Sequence, residues 1–269
     1  MTETQVSRFD ADTRVRAVAD GRWSAEIGPG WNAIGGQPNG GYLLAVALAA
    51  ASQALPGAEP LSATAHYVKP AAIGPAELDV QVVKRGRMKS TVTATLSQDG
   101  SERVRLLGAY SDRTMLGWPI EFSAEAPEIP APQDCLIPQV PAATGASIAD
   151  RFDYRVTPAT RWARGVPSGT ARIEGWLRFS DGREPDLAAL ALFADAFPPA
   201  IFEVIERAVV PTVELTVQLR RQPAPGWVQA RFQTRTLLDG ILEEDGELWD
   251  SQGRLVAMSR QLALVLPVS

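Results

Sequence analysis

Polar and apolar residues alternate along most of this chain, and the alternation breaks in two places. Residues 61–68, 78–84, 90–96 and 104–110 alternate and are rich in β-branched side chains, the pattern of half-buried strands. Lys69-Pro70, Arg85-Gly86 and Gln98-Asp99-Gly100 separate them as turns. A matching set of four follows in the second half, at 212–219, 227–236, 241–249 and 254–266. Its separators are the stretch 222–225, Asp239-Gly240 and Ser251-Gln252-Gly253. The two breaks are apolar on every side: residues 42–51, and the run from Leu187 to Ala194 that continues into Asp195. A helix with no polar face belongs in an interior, not on a surface. Each predicted helix follows a strand-like segment, 23–27 or 171–179, and a loop, 28–41 or 180–185. One plan is thus written twice: strand, loop, buried helix, four strands.

The plan predicts two units, residues 1–118 and 151–269, around a linker at 119–150. Residues 119–141 hold six prolines and read as a plain extended connection. With 269 residues, 45% of them hydrophobic and 21% charged, the chain can build a full core. A net charge of −5 with scattered Arg and Lys argues against nucleic acid as the partner. The longest uncharged apolar stretch, 42–55, is too short to span a bilayer, and the start carries no apolar signal segment. The expectation is a soluble cytoplasmic protein. A single cysteine, Cys135, excludes an internal disulfide or a thiolate metal cluster, and no positive environment near it suggests a nucleophile.

Candidate chemistry begins with Asp195. A carboxylate inside an apolar run costs several kcal/mol, roughly, unless it is hydrogen-bonded or protonated. Other chemistries lack their residues. His66 is the only histidine, which removes two-histidine metal sites, and it falls mid-strand in Ala-Thr-Ala-His-Tyr-Val as a structural residue. No Gly-x-Ser-x-Gly elbow, phosphate-binding loop or Gly-x-Gly-x-x-Gly turn is present.

A helix followed by four antiparallel strands, with one strand ahead, is the plan of a hotdog unit. Taken over nearly its whole length, the chain resembles the type II acyl-CoA thioesterases, and in particular their actinobacterial-style members. The resemblance implies an α+β fold, a tandem double hotdog: two curved antiparallel sheets, each wrapped around a central helix and joined edge to edge. It implies three catalytic positions: Asp195 in Phe-Ala-Asp-Ala-Phe, Thr212 in Pro-Thr-Val-Glu-Leu-Thr, and Gln261 in Leu-Val-Ala-Met-Ser-Arg-Gln-Leu. The implied reaction is hydrolysis of an acyl-CoA by an oriented water, with no metal or other cofactor and with homo-oligomers as the assembled form.

Around that trio, Asn39, Gly40 and Gly41 precede the first helix and are expected to offer oxyanion amides, since glycine allows close backbone approach. Phe193, Phe197 and Leu192 are expected to line an acyl tunnel. Arg220, Arg221 and Lys69 are candidates for the CoA phosphates, with solvated strand-end charges as the plainer reading. Glu214, two residues after Thr212, reads as a sheet-face residue, with pressure on the pKa of Asp195 as the alternative. A non-catalytic acyl-CoA or lipid binding protein on the same fold is the rival function. Enoyl-CoA hydration is disfavoured because His66 lacks the Asp-x-Asn-x-x-His setting of a hydratase base.

Overall fold

The computed structural model describes residues 6–140, 142–206 and 208–267. The ends of the two predicted units (1–5 and 268–269) and Pro141 of the predicted linker lie outside the described residues.

In chain order the elements are α1 (Arg8–Asp12), β1 (Arg16–Ala19), β2 (Arg22–Ile27), α2 (Gly40–Ala54), β3 (Glu59–Tyr67), β4 (Gly74–Lys84), β5 (Ser90–Gln98) and β6 (Ser101–Ser111). The second half supplies β7 (Phe152–Val156), β8 (Arg172–Phe179), α3 (Leu187–Phe193), β9 (Thr212–Leu219), β10 (Val228–Gln233), β11 (Leu237–Leu238), β12 (Ile241–Trp249) and β13 (Leu255–Leu264). The eight alternating segments predicted after the two helices all form strands, and the helices stand where the alternation stops. The short elements α1, β1, β7 and β11 were not expected, because each is too brief to set up a pattern.

All the strands join one sheet in the order β1-β2-β4-β5-β6-β3-β9-β13-β12-β10-β8-β7, with β11 hairpinned onto β12. The run β2-β4-β5-β6-β3 and the run β8-β10-β12-β13-β9 have the same internal order, so the repetition read in the sequence is present in the strand pairing. The halves meet at β3 and β9, antiparallel from Ser62 opposite Gln218 to His66 opposite Glu214. Across this seam Thr64 and Thr216 share a hydroxyl hydrogen bond of 2.9 Å. Two strands that would otherwise be bare edges thereby satisfy each other.

The core lies against the inner face of the sheet. Asn39 caps α2, its Oδ1 accepting from the Tyr42 amide at 2.9 Å, and Asp186 caps α3 through the Ala189 amide at 2.8 Å. Almost every side chain of α2 from Gly41 to Ala51 is buried, as is most of α3. The two helices pack on each other, and Gly41 permits the approach: a Cβ there would sit 2.9 Å from both the Leu192 carbonyl oxygen and the Asp195 Cβ. Helix α3 is short. It stops at Phe193, before the Pro198-Pro199 pair that could not continue it. Asp195 therefore stands just past the helix end, not within it. No helix among the described residues is long and apolar enough to cross a membrane.

The proline-rich segment is more than a plain extended connection. Trp249, Gln229 and Trp176 donate side-chain hydrogen bonds to the carbonyls of Ala124, Pro127 and Pro130. Leu136 then bridges to Val156 on β7. Prolines lack amides but keep strong carbonyl acceptors, so three donors of β8, β10 and β12 can strap such a segment in place.

Candidate active site

The carboxylate of Asp195 is held by the N-terminus of the other half's helix. Its Oδ2 accepts from the Gly41 amide at 2.8 Å and from Asn39 Nδ2 at 3.0 Å. The same Asn39 amide group also donates to the Asp195 backbone carbonyl at 2.8 Å. Asn39 thus caps α2 with its oxygen and grips the second half with its nitrogen. Burial pushes Asp195 up to about 6, and the amides of Gly41, Asn39 and Gly40 oppose that rise. The positive end of α2 acts in the same direction as those amides. Among the described residues, the hydrogen bonds from the Gly41 amide and from Asn39 both fall on Oδ2.

Thr212 opens β9 and Gln261 lies on β13, beside it. Gln261 Nε2 donates to Thr212 Oγ1 at 2.5 Å. The ladder between the two strands shifts register between Leu262 and Ala263, so Thr212 sits opposite Ala263 yet reaches Gln261. Such a bulge re-aims side chains locally. Asp195, Thr212 and Gln261 line one cavity of about 390 Å³ together with Asn39, Gly40 and Tyr67. Most of the remaining wall is apolar, including Leu43, Tyr154, Phe197, Phe202 and Val210. Pro138, Val140, Ile148 and Ala149 of the segment between the halves complete it.

Two tyrosines fasten this wall. Tyr67 Oη donates to the Gly40 carbonyl at 2.8 Å, and Tyr154 Oη to the Ala196 carbonyl at 2.7 Å. Burial pushes both phenols well up, and the neighbouring Asp195 adds to it. They are neutral donors.

Residues 128–265 match the acyl-CoA thioesterase C-terminal domain, and residues 27–111 match the acyl-CoA thioesterase N-terminal domain. The structure is similar to a putative thioesterase II from Thermobifida fusca YX, 34% identical, with a TM-score of 0.88 over 98% of this chain and 99% of that one. The chain belongs to the acyl-CoA thioesterase family. It is a thioester hydrolase. A hot dog fold protein of unknown function from Alicyclobacillus acidocaldarius, 23% identical, superposes with a TM-score of 0.87 over 98% of this chain and all of that one, and shows the fold. In sequence, the thioesterase-like protein TwmA of Talaromyces wortmannii is 27% identical over 297 residues, covering 87% of this chain and 85% of that protein.

Several residues expected at this thioesterase's site stand elsewhere or act otherwise. Phe193 and Leu192 are fully buried, and Phe193 packs on Phe152 and Phe179; of the expected tunnel aromatics only Phe197 lines the cavity. Both belong to α3, whose apolar sides all face core. Arg220 and Arg221 follow the far end of β9. Eight residues at about 3.3 Å each put them roughly 26 Å from Thr212. There they bond Gln218 and Glu121, away from the cavity. Lys69 does line the cavity, with its Nζ 3.3 Å from Ser101 Oγ. The Gly41 amide, expected for an oxyanion, is committed to Asp195. Glu214 faces His66 across the seam at 3.5 Å, not Asp195. His66 is correspondingly exposed. Cys135 donates to the Pro130 carbonyl, and burial pushes its thiol up rather than activating it.

The acid that does neighbour Asp195 is Glu244, which sequence reasoning missed. It stands opposite Gln261 in the β12–β13 ladder, is only 7% exposed, and accepts from the Ala200 amide. Burial pushes it up to about 8, helped by the negative charge of Asp195. A signal was available: Leu242, Glu244, Gly246 and Leu248 share one face of a strand whose apolar residues point inward.

Proposed function

We propose that this thioesterase hydrolyses an acyl-CoA with a water held between Asp195, Gln261 and Thr212. Hydrogen-bond counting supports the arrangement. Thr212 Oγ1 accepts from Gln261, so its own hydroxyl proton is available to donate. Gln261 retains its carbonyl oxygen as an acceptor, and Asp195 retains Oδ1. A water at this point donates one proton to Asp195 Oδ1 and one to the Gln261 carbonyl, and accepts from Thr212.

As the water oxygen bonds to the thioester carbon, Asp195 takes a proton and the carbonyl electrons move onto oxygen. Collapse of that tetrahedral species breaks the C–S bond. The departing thiolate takes the proton from Asp195, leaving a free acid and CoA thiol. Proximity and general-base assistance supply the acceleration. The acyl tail lies along the apolar wall of Phe197, Phe202 and Val210, and Lys69 at the rim is the cation best placed for the CoA side. We read the whole fold as a tandem double hotdog, residues 1–118 and 151–269, with the site drawn from both units.

The observation that carries this reading is the convergence of one half-buried carboxylate and one Gln–Thr pair on the same apolar cavity. The test is thiol release from acyl-CoAs of short, long, branched and aryl type, for the parent protein and Asp195→Asn. The reading predicts release from at least one thioester and a loss of 10²- to 10⁴-fold in the variant. Heat protection by an acyl-CoA without any release would instead favour a binding protein.

A further inference from the structure

Glu244 is a buried acid that the proposed chemistry does not use. Its placement links the parts of the site that must stay in register. It lies on the inward face of β12, directly across the ladder from Gln261. Its Oε2 accepts from the amide of Ala200, the residue that follows the Asp195-Ala-Phe-Pro-Pro stretch. That stretch has left helix α3 and carries two prolines without amides of their own, so few donors can anchor it. Ala200 also opens a 3-10 turn, Ala200–Glu203, whose first amides lack partners within the turn.

We propose that Glu244 is a positioning residue: it ties the segment bearing Asp195 to the strand bearing Gln261, and so sets the carboxylate against the Gln261–Thr212 pair. This rests on the proposed water mechanism. Asp195 faces Glu244 from the segment after α3, while Glu243 and Asp245 flank it on its own strand. Among the described residues the cations beside β12 pair with other acids: Arg260 and Arg235 with Asp245, and Arg231 with Glu247. Protonation keeps two adjacent acids from repelling each other, and the protonated group retains a carbonyl oxygen for Ala200.

Glu244→Gln keeps that acceptor and removes titration; Glu244→Leu removes both. Thiol-release kinetics of the two variants should show Glu244→Gln within about threefold of the parent. Glu244→Leu should lose tenfold or more in kcat with KM within about threefold. A second arm needs no turnover: the Glu244 carboxyl is titrated by 13C NMR in the parent and in Asp195→Asn. Removing the neighbouring anion should lower its midpoint. Full kcat in Glu244→Leu, equal losses in both variants, or an unmoved midpoint would overturn the proposal. If the parent releases no thiol at all, the water mechanism fails and the NMR arm alone decides for Glu244. The same arm, with Glu244→Gln, decides if Glu244→Leu does not fold.

Discussion

A carboxylate against an apolar wall loses hydration, and the surrounding donors recover only part of it, which is why Asp195 titrates near 6 and not near 4. Its raised pKa has a sign for stability. The folded state holds the proton more tightly than the unfolded chain, so stability is fullest below about pH 4 for this group and falls as pH rises through about 6. Asp195→Asn keeps the shape and one carbonyl acceptor without that charge. It should raise Tm by a few degrees at pH 7.5 despite its loss of turnover, and the gain should vanish near pH 4 in a thermal melt; a lower Tm at pH 7.5 would contradict the assigned burial. Gln261→Leu leaves the Thr212 hydroxyl without its donor and should lower kcat at least tenfold with little change in KM, measured by thiol release. Asp195 was legible because a charge interrupts an apolar run. Thr212 and Gln261 were not: a threonine opening a strand and a glutamine near the end of another are ordinary, and family likeness alone singled them out. Glu244 hid in Glu243-Glu244-Asp245, which reads as a solvated acidic run until the phase of the strand shows which member turns inward.

The N-terminus of α2 and the end of α3 form one joint. Asn39 is the hinge pin, capping one helix and holding the residue beyond the other. Asn39→Ala should cost about 1 kcal/mol of stability as a lost cap. It should also raise the pKa of Asp195 further, because a donor to the charged form is gone, so the acid limb of the rate profile should move above its parent position. An unshifted limb would remove Asn39 from the site. Gly41→Ala places a Cβ 2.9 Å from the Leu192 carbonyl oxygen and should destabilise by about 1–3 kcal/mol in denaturant unfolding. The sequence indicated a helix N-terminus that binds an anion; the anion it holds is the protein's own carboxylate. Strand arithmetic places two of the phosphate candidates away from the cavity. Arg220 and Arg221 share β9 with Thr212, but the length of an extended strand separates them from the cavity.

At the scale of the molecule, the repeated strand order and the seam between β3 and β9 place α2 of one half against α3 of the other. The candidate site is assembled from both halves, each lending something its counterpart lacks: a helix N-terminus on one side, a carboxylate and a Gln–Thr pair on the other. The repetition was readable from alternation and turn residues. The role of the segment between the halves was not, because prolines announce extended chain without saying what it lies against. Phe202 lies beyond Asp195 on the apolar wall of the cavity, where the proposed reading puts the acyl tail. Phe202→Ala should move the preferred acyl-CoA toward longer or bulkier chains in a kcat/KM comparison. The central claim is that an ionised Asp195 activates water, and the pH dependence of kcat/KM tests it most directly. For the parent, kcat/KM should fall as pH drops through about 6 and level off above it. A rate independent of pH between 4.5 and 8, or Asp195→Asn with the parent's rate and profile, would contradict it.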